Sequence, residues 1–568
     1  MIAKHLLQVV LSTAYAKLRH SNLSLPRPPL DGPAAISWLD ALVTSRHVKT
    51  LFFLYLSILL LPFDTAVIVL LWLWSRVTDY GSIGPQKTLP AAQRKTVLIT
   101  SVGTAQGLTL ARLFHRAGHR VIGADTEPLS IGAVSQAVHK HYALARPPAS
   151  TALPLPKNAA DNKYIGGLLR IVRAEGADLC ISASDNAHMA LHDALACDAV
   201  ESQTFCKAVR SGVDDARTLG DRALFMDLAH RLRLPVPDFA VVRSREQLVE
   251  TVEERRGQLG PGLDDHHDRP LRRYLVKPLG VDDDGSGGQQ PLLLPRPTRD
   301  ETETQVAQLP LPLPLSTMEE KAGQNTPAVL VQEFVPGHEY CSHAVVIRGQ
   351  VRAFAACPSS DVMTHYTLLP TGSAHHAEML AFTRRQREGD GDGDGGHHDR
   401  RRLLLLLPAD DHDHDPDPSL ELCAVECSSP RAHTAAVLFS HTPALVDEYL
   451  WLLGEDAPPA RAAPLTPSHR RYYWAGQDLF DLVLRPWLSL ARVTTNDQLA
   501  AQLDEGWASA RLFASRVASW KDATLEPWDP LPAWWLYHVF WPARFIRLWR
   551  DGQRWSRVNV GTGRVYKA

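Results

Sequence analysis

The sequence predicts an α/β (α+β) protein in which a parallel α/β domain precedes a fold of two sheets. An apolar run at Thr96–Thr100 leads through a small-residue turn into an amphipathic stretch at Leu108–Ala117, the order of a βαβ unit. After residue 239, strand-like runs alternate with polar inserts. A hydrophobic helix is expected before the parallel domain and a Trp-rich helical region at the other end. The predicted divisions are residues 1–93, 94–213, 214–450 and 451–568.

Composition excludes some classes of protein. The chain has 568 residues, 60 of them Lys or Arg and 62 Asp or Glu, for a formal net charge of -2. This balance, without a basic-aromatic stripe, argues against a nucleic-acid partner. The cysteines number 7, an odd count without a CxxC pair. They indicate reduced, buried thiols in an intracellular protein rather than disulfides or a zinc site.

The segment Leu51–Trp74 is apolar and long enough to cross a bilayer. Basic residues flank it at Arg46, Lys49 and Arg76, and tryptophans lie at one end. It is too long and too far along the chain for a signal peptide. Pro62 and Asp64 are expected to break it, leaving open a kinked span, a hairpin in one leaflet or a buried helix pair. Membrane association is predicted, with a helix docked on the soluble domains as the alternative.

The parallel domain allows a second interpretation. Asp125 ends its second predicted strand, as an acid does in dinucleotide-binding folds. The turn before the helix carries only Gly103 and Gly107, however, and does not fit GxGxxG. A dehydrogenase is therefore disfavoured.

The segment Val329–His343 carries most of the functional signal, because an apolar strand runs into an acid, a Pro-Gly turn and a second acid. Adenine binds in an apolar slot with a backbone donor and acceptor at its edge, and a ribose is held by a carboxylate. Gln332, Glu333 and Phe334 are predicted to form the adenine edge. Glu339 is predicted to bind the ribose.

Residues for phosphate and metal flank that segment. Lys277 ends the apolar run Tyr274–Pro278 and is predicted to meet phosphate oxygens, with Arg222 as a second cation. The glycines of 285–288 form either a phosphate loop or only an insert. Glu426 ends another strand and is the predicted ligand of Mg²⁺ or Mn²⁺ bound with ATP.

Other stretches are predicted from composition and pattern alone. A single helix is expected from Asp215 to Arg233, carrying Arg222. Residues 256–270, 282–300 and 387–418 are rich in Asp, Gly, His and Arg and are expected to be solvated loops. The tryptophans near the end indicate a packed helical region, with a lid or a membrane-resting face as alternatives.

These motifs together resemble the ATP-grasp superfamily, and within it the ligases that form mycosporine-glycine and related fungal-type proteins. The resemblance covers nearly the whole chain. It implies a pre-ATP-grasp domain at 94–213 and the ATP-grasp two-sheet fold at 214–450. The segments that carry it are Ala111–Ile122, the hinge Gln332–Glu339, Cys357–Ser360 with Tyr366, Val425–Cys427 followed by Pro430–Thr434, and Trp535–His538.

The resemblance implies a reaction in which MgATP phosphorylates an acidic oxygen and an amine then displaces the phosphate. In the mycosporine branch the acceptor is the enolic 4-deoxygadusol and the amine is glycine. Arg431 and His433 are implied to hold the acceptor or the amino acid's carboxylate. The implied pocket also includes Ser359, Ser360 and Tyr366, and the implied metal ligands are Glu426, Ser429 and Asp410.

The chain departs from the family pattern at three places. Arg222 stands where the family has lysine, and serines including Ser429 stand where it has asparagine. The strand before Glu426 should carry a metal-binding aspartate, but this chain has only leucines there, at Leu403–Leu407. Asp410 is among the nearest acids. The alternatives are therefore another ATP-grasp carboxylate-amine ligase or a catalytically impaired scaffold. The expected partners are a small acceptor and an amino acid; the oligomeric state is not predicted.

Overall fold

The computed structural model has the predicted class, mixed α/β with one parallel sheet, two four-stranded antiparallel sheets, an apolar helix before the parallel sheet and a mainly helical C-terminal region. The residues it describes are 46–77, 89–147, 162–184, 187–209, 212–256, 272–279, 293–309, 328–359, 365–388, 400–408, 423–427, 433–454, 463–468, 471–484, 486, 496–553, 555–560 and 564–567.

The apolar segment forms one continuous helix, α1 (Arg46–Val77), with Pro62 inside it. The predicted break at Pro62 and Asp64 is wrong. The side chain of Thr65 donates to the carbonyl of Leu61 at 2.6 Å, a local bond beside the proline, which itself has no N–H to give. Among the described residues, Thr50–Val77 is the stretch long and apolar enough to cross a membrane.

The parallel unit is a five-stranded sheet in the order β3-β2-β1-β4-β5, with all neighbouring strands parallel. The strands carry apolar side chains on both faces, and these are buried because helices cover each side of the sheet. The strands are β1 (Thr96–Thr100), β2 (Arg120–Asp125), β3 (Lys140–Ala143), β4 (Leu179–Ile181) and β5 (Lys207–Val209), and the helices are α2 (Ala105–Arg116), α3 (Lys163–Glu175) and α4 (Ala187–Gln203).

The Asp125 side chain is hydrogen-bonded within its own turn. Its carboxylate accepts from the N–H of Gly103 at 2.7 Å and from the hydroxyl of Ser130 at 3.0 Å. A Cβ on Gly103 would lie 2.6 Å from that carboxylate. The turn is therefore closed around Asp125, whose pKa is raised by burial.

Two helices occupy the region predicted as a single helix. Helix α5 (Val213–Gly220) ends before Asp221, and α6 (Arg222–Arg231) begins after it. The Asp221 carboxylate accepts from the N–H groups of Ala223 and Leu224 at 2.8 and 3.1 Å. An aspartate in extended conformation that bonds the first amides is an N-cap, so the aspartate starts a new helix.

The first antiparallel sheet has the order β6-β9-β7-β8. One of its faces packs on helices α7 and α8 through Leu248, Val252 and Val306. Its strands are β6 (Phe239–Val242), β7 (Tyr274–Pro278), β8 (Leu293–Leu294) and β9 (Val329–Glu333), and the helices are α7 (Arg245–Glu254) and α8 (Arg299–Gln308).

The second antiparallel sheet has the order β11-β10-β13-β14. Arg400–Pro408 is a strand of this sheet, so the part of 387–418 that it occupies is not the expected loop. The strands are β10 (Gly337–Ile347), β11 (Gln350–Pro358), β13 (Arg400–Pro408) and β14 (Cys423–Cys427), with β12 (His365–Thr367) and α9 (Ala374–Glu388) between them in the chain.

The two faces of the second sheet have different neighbours. Cys341, Val345 and Ile347 of β10 belong to a core shared with the parallel unit and the C-terminal region. Ala344 and Val346, which alternate with them, belong to a cluster that includes the first sheet. Because side chains alternate along a strand, the second sheet has its back on the parallel unit and its front toward the first sheet.

The C-terminal region is mainly helical, as predicted, but also contains a small sheet β12-β15-β16 and the hairpin β17-β18. It joins the parallel unit through a buried ion pair between Arg112 and Asp529 at 2.9 Å. Its elements, including two helices that precede it in the chain, are α10 (His433–Leu438), α11 (Ala444–Leu450), β15 (Arg471–Tyr473), α12 (Ala475–Asp478), α13 (Asn496–Ser519), β16 (Lys521–Asp522), α14 (Leu531–Trp535), α15 (Trp541–Arg550), β17 (Trp555–Asn559) and β18 (Arg564–Lys567).

Candidate functional site

The register of β7 against β9 places Lys277 on the face of the first sheet that looks toward the second. Lys277 is opposite Leu330, and Leu275 is opposite Gln332. Directly opposed residues point to the same face, and Leu330 is in the cluster that includes Ala344 of the second sheet. Lys277, half-buried, therefore lies on the inner side of a two-sheet cleft.

Gln332 shares that inner face and is fully buried. Its side-chain amide contacts the sulfur of Met226 on α6 at 3.6 Å. Arg222 lies four residues before Met226, one turn earlier on the same helix face. Helix α6 therefore places Arg222 near the inner side of the first sheet.

Glu333 has the opposite orientation. It follows Val329 and Val331 on the face that packs on α7 and α8. Its carboxylate lies 3.4 Å from Arg272 and accepts from the N–H of Asp238 at 3.2 Å. The side chain of Glu333 is thus part of an ion-pair network behind the sheet. Sequence reasoning missed Arg272 and could have found this orientation from the alternation along β9.

The amides of the predicted adenine edge are engaged within the protein. The N–H of Glu333 donates to the carbonyl of Asp238, and that of Phe334 to the carbonyl of Arg273, both at 2.7 Å. A ligand at this edge cannot use these two donors without breaking a sheet bond. The next amide along the chain is that of Val335.

The connection from β9 to β10 opens to solvent. The side chain of Phe334 is 43% exposed, and Glu339 is exposed at the start of β10. Ser359 lies beside Glu339: its N–H donates to the Glu339 carbonyl at 2.7 Å and its hydroxyl to the carboxylate at 3.3 Å. The structure therefore brings together two residues that were predicted for neighbouring roles, ribose and acceptor.

Tyr366 is placed differently from the prediction. Its side chain is 2% exposed and belongs to the core behind the second sheet. Its ring packs edge-on against His343 at 5.6 Å and against Trp474 at 6.1 Å. Tyr366 therefore has a packing role on the back of the sheet, away from the inner face of the cleft.

Several predicted residues lie outside the described part of the chain. Glu426 is described by its main chain only, in β14 opposite Leu404 of β13, and His433 likewise begins α10. The others are Asp410, Ser429, Arg431, Ser360 and the glycines of 285–288.

A cluster of Cys341, His343 and Cys357 was missed from the sequence, because the residues come together only by strand pairing. Their ligand atoms lie within 4.8 Å of one another and all three residues are buried. Cys341 and Cys357 are opposite each other, and their sulfurs are 3.2 Å apart. Two thiolates on one tetrahedral zinc stand about 3.8 Å apart. The two thiols therefore contact each other directly, closer than a shared zinc would hold them, on the back of the sheet.

Comparison with known proteins gives only distant similarity. No protein-family model matches the chain, and no curated protein matches it. The fold is similar to that of several solved structures. One is an N5-carboxyaminoimidazole ribonucleotide synthetase in complex with ADP, 13% identical, covering 75% of this chain and 97% of that one with a TM-score of 0.44.

Two further solved structures show the same degree of similarity. A biotin carboxylase from Campylobacter jejuni is 10% identical and covers 65% of this chain and 73% of that one, with a TM-score of 0.42. An L-amino acid ligase from Bacillus licheniformis is 12% identical and covers 59% and 67%, with a TM-score of 0.36. At this level of similarity they assign neither a residue nor a reaction to this chain.

Proposed function

We propose that this chain is an ATP-dependent ligase of the ATP-grasp type, which joins an acidic acceptor to an amine. The observation that carries the proposal is the shared inner face of Lys277 and Gln332, turned toward the second sheet. That cation and amide, together with the exposed carboxylate of Glu339 near the start of β10, match the three parts of a nucleoside triphosphate.

The direction of β9 orders those parts. Gln332 is at the end of β9 and Lys277 is opposite Leu330, two residues earlier, so the two side chains are about 7 Å apart along the strand. The purine then lies against Gln332 and the amide of Val335, and the phosphates extend toward Lys277. The ribose faces Glu339. Arg222, on α6, supplies the second cation.

The chemistry uses the acceptor's own oxygen. An acidic oxygen attacks the γ-phosphorus, the bond to ADP breaks, and the acceptor becomes a phosphate ester or acyl phosphate. The amine nitrogen then attacks the activated carbon and phosphate leaves with that oxygen. Lys277 neutralises charge that develops on the phosphate oxygens during transfer.

The oxygen donors proposed to hold the divalent metal are Glu426, Asp410 and Ser429. Glu426 is the residue before the end of β14, and Asp410 and Ser429 lie before and after that strand in the sequence. Carboxylates and a hydroxyl are ligands that Mg²⁺ or Mn²⁺ accepts. When bound, the metal would neutralise the β- and γ-phosphates.

For the acceptor we propose an enolic cyclohexenone of the 4-deoxygadusol type, with glycine as the amine. A vinylogous acid is electronically an extended carboxylic acid, so the same activation applies to both. Ser359, bonded to Glu339, supports an acceptor site beside the ribose. Arg431 and His433 would hold the anionic acceptor or the glycine carboxylate. A carboxylic acid as acceptor is the second outcome of the test below.

We also propose that the chain works at an intracellular membrane. Helix α1 supports this location by its length and apolar composition.

The test is an oxygen-transfer assay with the full chain. Acceptors carrying oxygen-18 at the acidic oxygen are incubated with MgATP and glycine, and ADP, phosphate and product are measured. Amine-dependent ADP release with oxygen-18 in the phosphate is expected, and the acceptor that responds identifies the substrate class. ADP release without transfer of the label, or none with either acid class, would overturn the proposal.

A further inference from the structure

One face of helix α1 packs on α14, α15 and the segment between them in the C-terminal region. Thr50 and Ser75, near its two ends, are 2% and 3% exposed. Between them Phe53 stacks on Phe545 of α15, with ring centroids 5.1 Å apart, and also contacts Trp555. The rise from residue 50 to 75 is about 38 Å, longer than the hydrocarbon core of a bilayer.

Three polar side chains of this apolar helix bond to the C-terminal region. Asp64 is 2.9 Å from Nε2 of His538, whose side chain is 2% exposed. Ser57 donates to the carbonyl of Tyr537 at 3.1 Å, and Thr65 accepts from the indole N–H of Trp534 at 3.0 Å. A helix that left this surface to cross a bilayer would carry the Asp64 carboxylate into hydrocarbon without its His538 partner, which is costly.

The opposite face of α1 is apolar and open. Tyr55, Ile58, Leu59, Phe63 and Leu70 are between 57% and 69% exposed. Soluble monomers seldom expose a continuous apolar surface of this length. Other large apolar residues are exposed on α1 and on two helices that contact it, namely Leu51, Leu61, Val69, Trp72, Leu73, Trp74 and Val77 on α1, Leu531 on α14, and Ile546 and Trp549 on α15.

From these observations we infer that α1 lies in the plane of a membrane and does not cross it. Its open face enters one leaflet, and Asp64, Ser57 and Thr65 hold it to the C-terminal region. The occupant of this face is a phospholipid bilayer, because tryptophans lie at one end and Arg76 lies at the border of the apolar face, where headgroups are. This inference rests on the proposed membrane location and is independent of the proposed reaction.

The first experiment measures where the two ends of the helix are. Single cysteines at Lys49→Cys and Arg76→Cys, the basic positions that flank the apolar segment, are treated with a membrane-impermeant maleimide in sealed microsomes, before and after detergent. The unmodified chain gives the background labelling. Equal labelling of both ends before detergent is expected, since an in-plane helix keeps its ends on one side. Labelling of one end only after detergent would show a spanning helix and overturn the inference.

The second experiment tests the open face. Full-length chain is mixed with vesicles of phosphatidylcholine and phosphatidylserine and floated on a density gradient. The double variant Ile58→Ser/Leu59→Ser should lower the vesicle-bound fraction at least about tenfold, because it removes two aliphatic side chains that the membrane would bury. The matched control is Leu499→Ser with Leu512→Ser on α13, also exposed, which should leave binding unchanged.

Two further results would overturn the inference. If the unmodified chain stays in the soluble fraction as a dimer, and the Ile58→Ser/Leu59→Ser variant is a monomer, the occupant is a second copy. If it stays soluble as a monomer, the face has no occupant of this kind. Either result contradicts the membrane location and leaves the ligase assay to be judged separately.

Discussion

The parallel unit and the two-sheet unit use their charged and polar side chains differently. In the parallel unit, Asp125 closes a turn, and Glu175 binds Arg120, Lys140 and Tyr142. In the two-sheet unit, the lysine of β7 is on an inner face and the acid of β10 is exposed near the start of its strand. Side chains that bond within the parallel unit stabilise it, whereas Lys277 and Glu339 are the residues proposed to meet a ligand. The parallel unit is therefore the support, and the two-sheet unit carries the candidate site.

The largest expected effect concerns the support. Asp529 is fully buried and accepts from Arg112, from the hydroxyl of Ser135 at 2.7 Å and from the N–H of Gln136 at 2.9 Å. Asp529→Ala leaves Arg112 charged and buried, so the free energy of unfolding should fall by about 3–5 kcal/mol. Urea denaturation followed by tryptophan fluorescence measures it. Glu303→Ala, which removes an exposed pair, is the control and should cost under about 1 kcal/mol. Equal losses in the two variants would contradict a supporting role for Asp529.

The second prediction concerns the inner face of the cleft. Lys277→Met removes the cation proposed for the phosphates and should raise the Kd for ATP about 10- to 100-fold, the range for a hydrogen bond to a charged group. Calorimetric titration with MgATP measures it. Lys207→Met, at an exposed position of the parallel unit, is the control and should bind ATP as the unmodified chain does. Unchanged affinity in Lys277→Met would place the phosphates elsewhere.

A smaller effect distinguishes the ribose role of Glu339. Glu339→Gln weakens hydrogen bonds to the sugar and should raise the Kd for ATP about 3- to 10-fold. The same titration with 2′-deoxy-ATP should show little difference between the variant and the unmodified chain, because the hydroxyl contact is already missing. Ser359→Ala tests whether the bond from Ser359 orients Glu339. An equal loss for both nucleotides in Glu339→Gln would mean that Glu339 does not hold the 2′-hydroxyl.

The smallest effect is in the parallel unit and depends on pH. Hydrogen bonds from Lys140, Tyr142 and Arg120 lower the pKa of Glu175 to about 2 from its ordinary value of 4.5. A lowered folded pKa means that this contribution is complete above about pH 4.5 and is lost as pH falls through about 2. Glu175→Gln should therefore lower the free energy of unfolding at neutral pH by about 1 kcal/mol or less, since the network faces water. Urea denaturation should show that the difference in the free energy of unfolding between the variant and the unmodified chain shrinks toward about pH 2. A difference that is constant with pH would mean that it comes from packing and not from the charge of Glu175.

The alternation of side chains explains why only part of the hinge could be predicted from the sequence. The apolar run of β9 predicted the strand, and the positions of Lys277 and Glu339 beside strands and turns predicted them as site residues. Local sequence does not say which face of β9 is the inner one. That depends on α7 and α8 packing on one side, which turns Glu333 toward Arg272 and Gln332 toward the cleft.

Local sequence determined the parallel βαβ unit, the apolar helix and the strands of the hinge, because their hydrophobic periodicity is set by neighbours a few residues away. Tertiary structure alone decided that α1 is docked by Asp64 on His538, that Cys341 and Cys357 are opposite each other, and that Tyr366 is core. Each of these depends on contacts between residues far apart in the chain, and no periodicity of a single segment encodes such contacts.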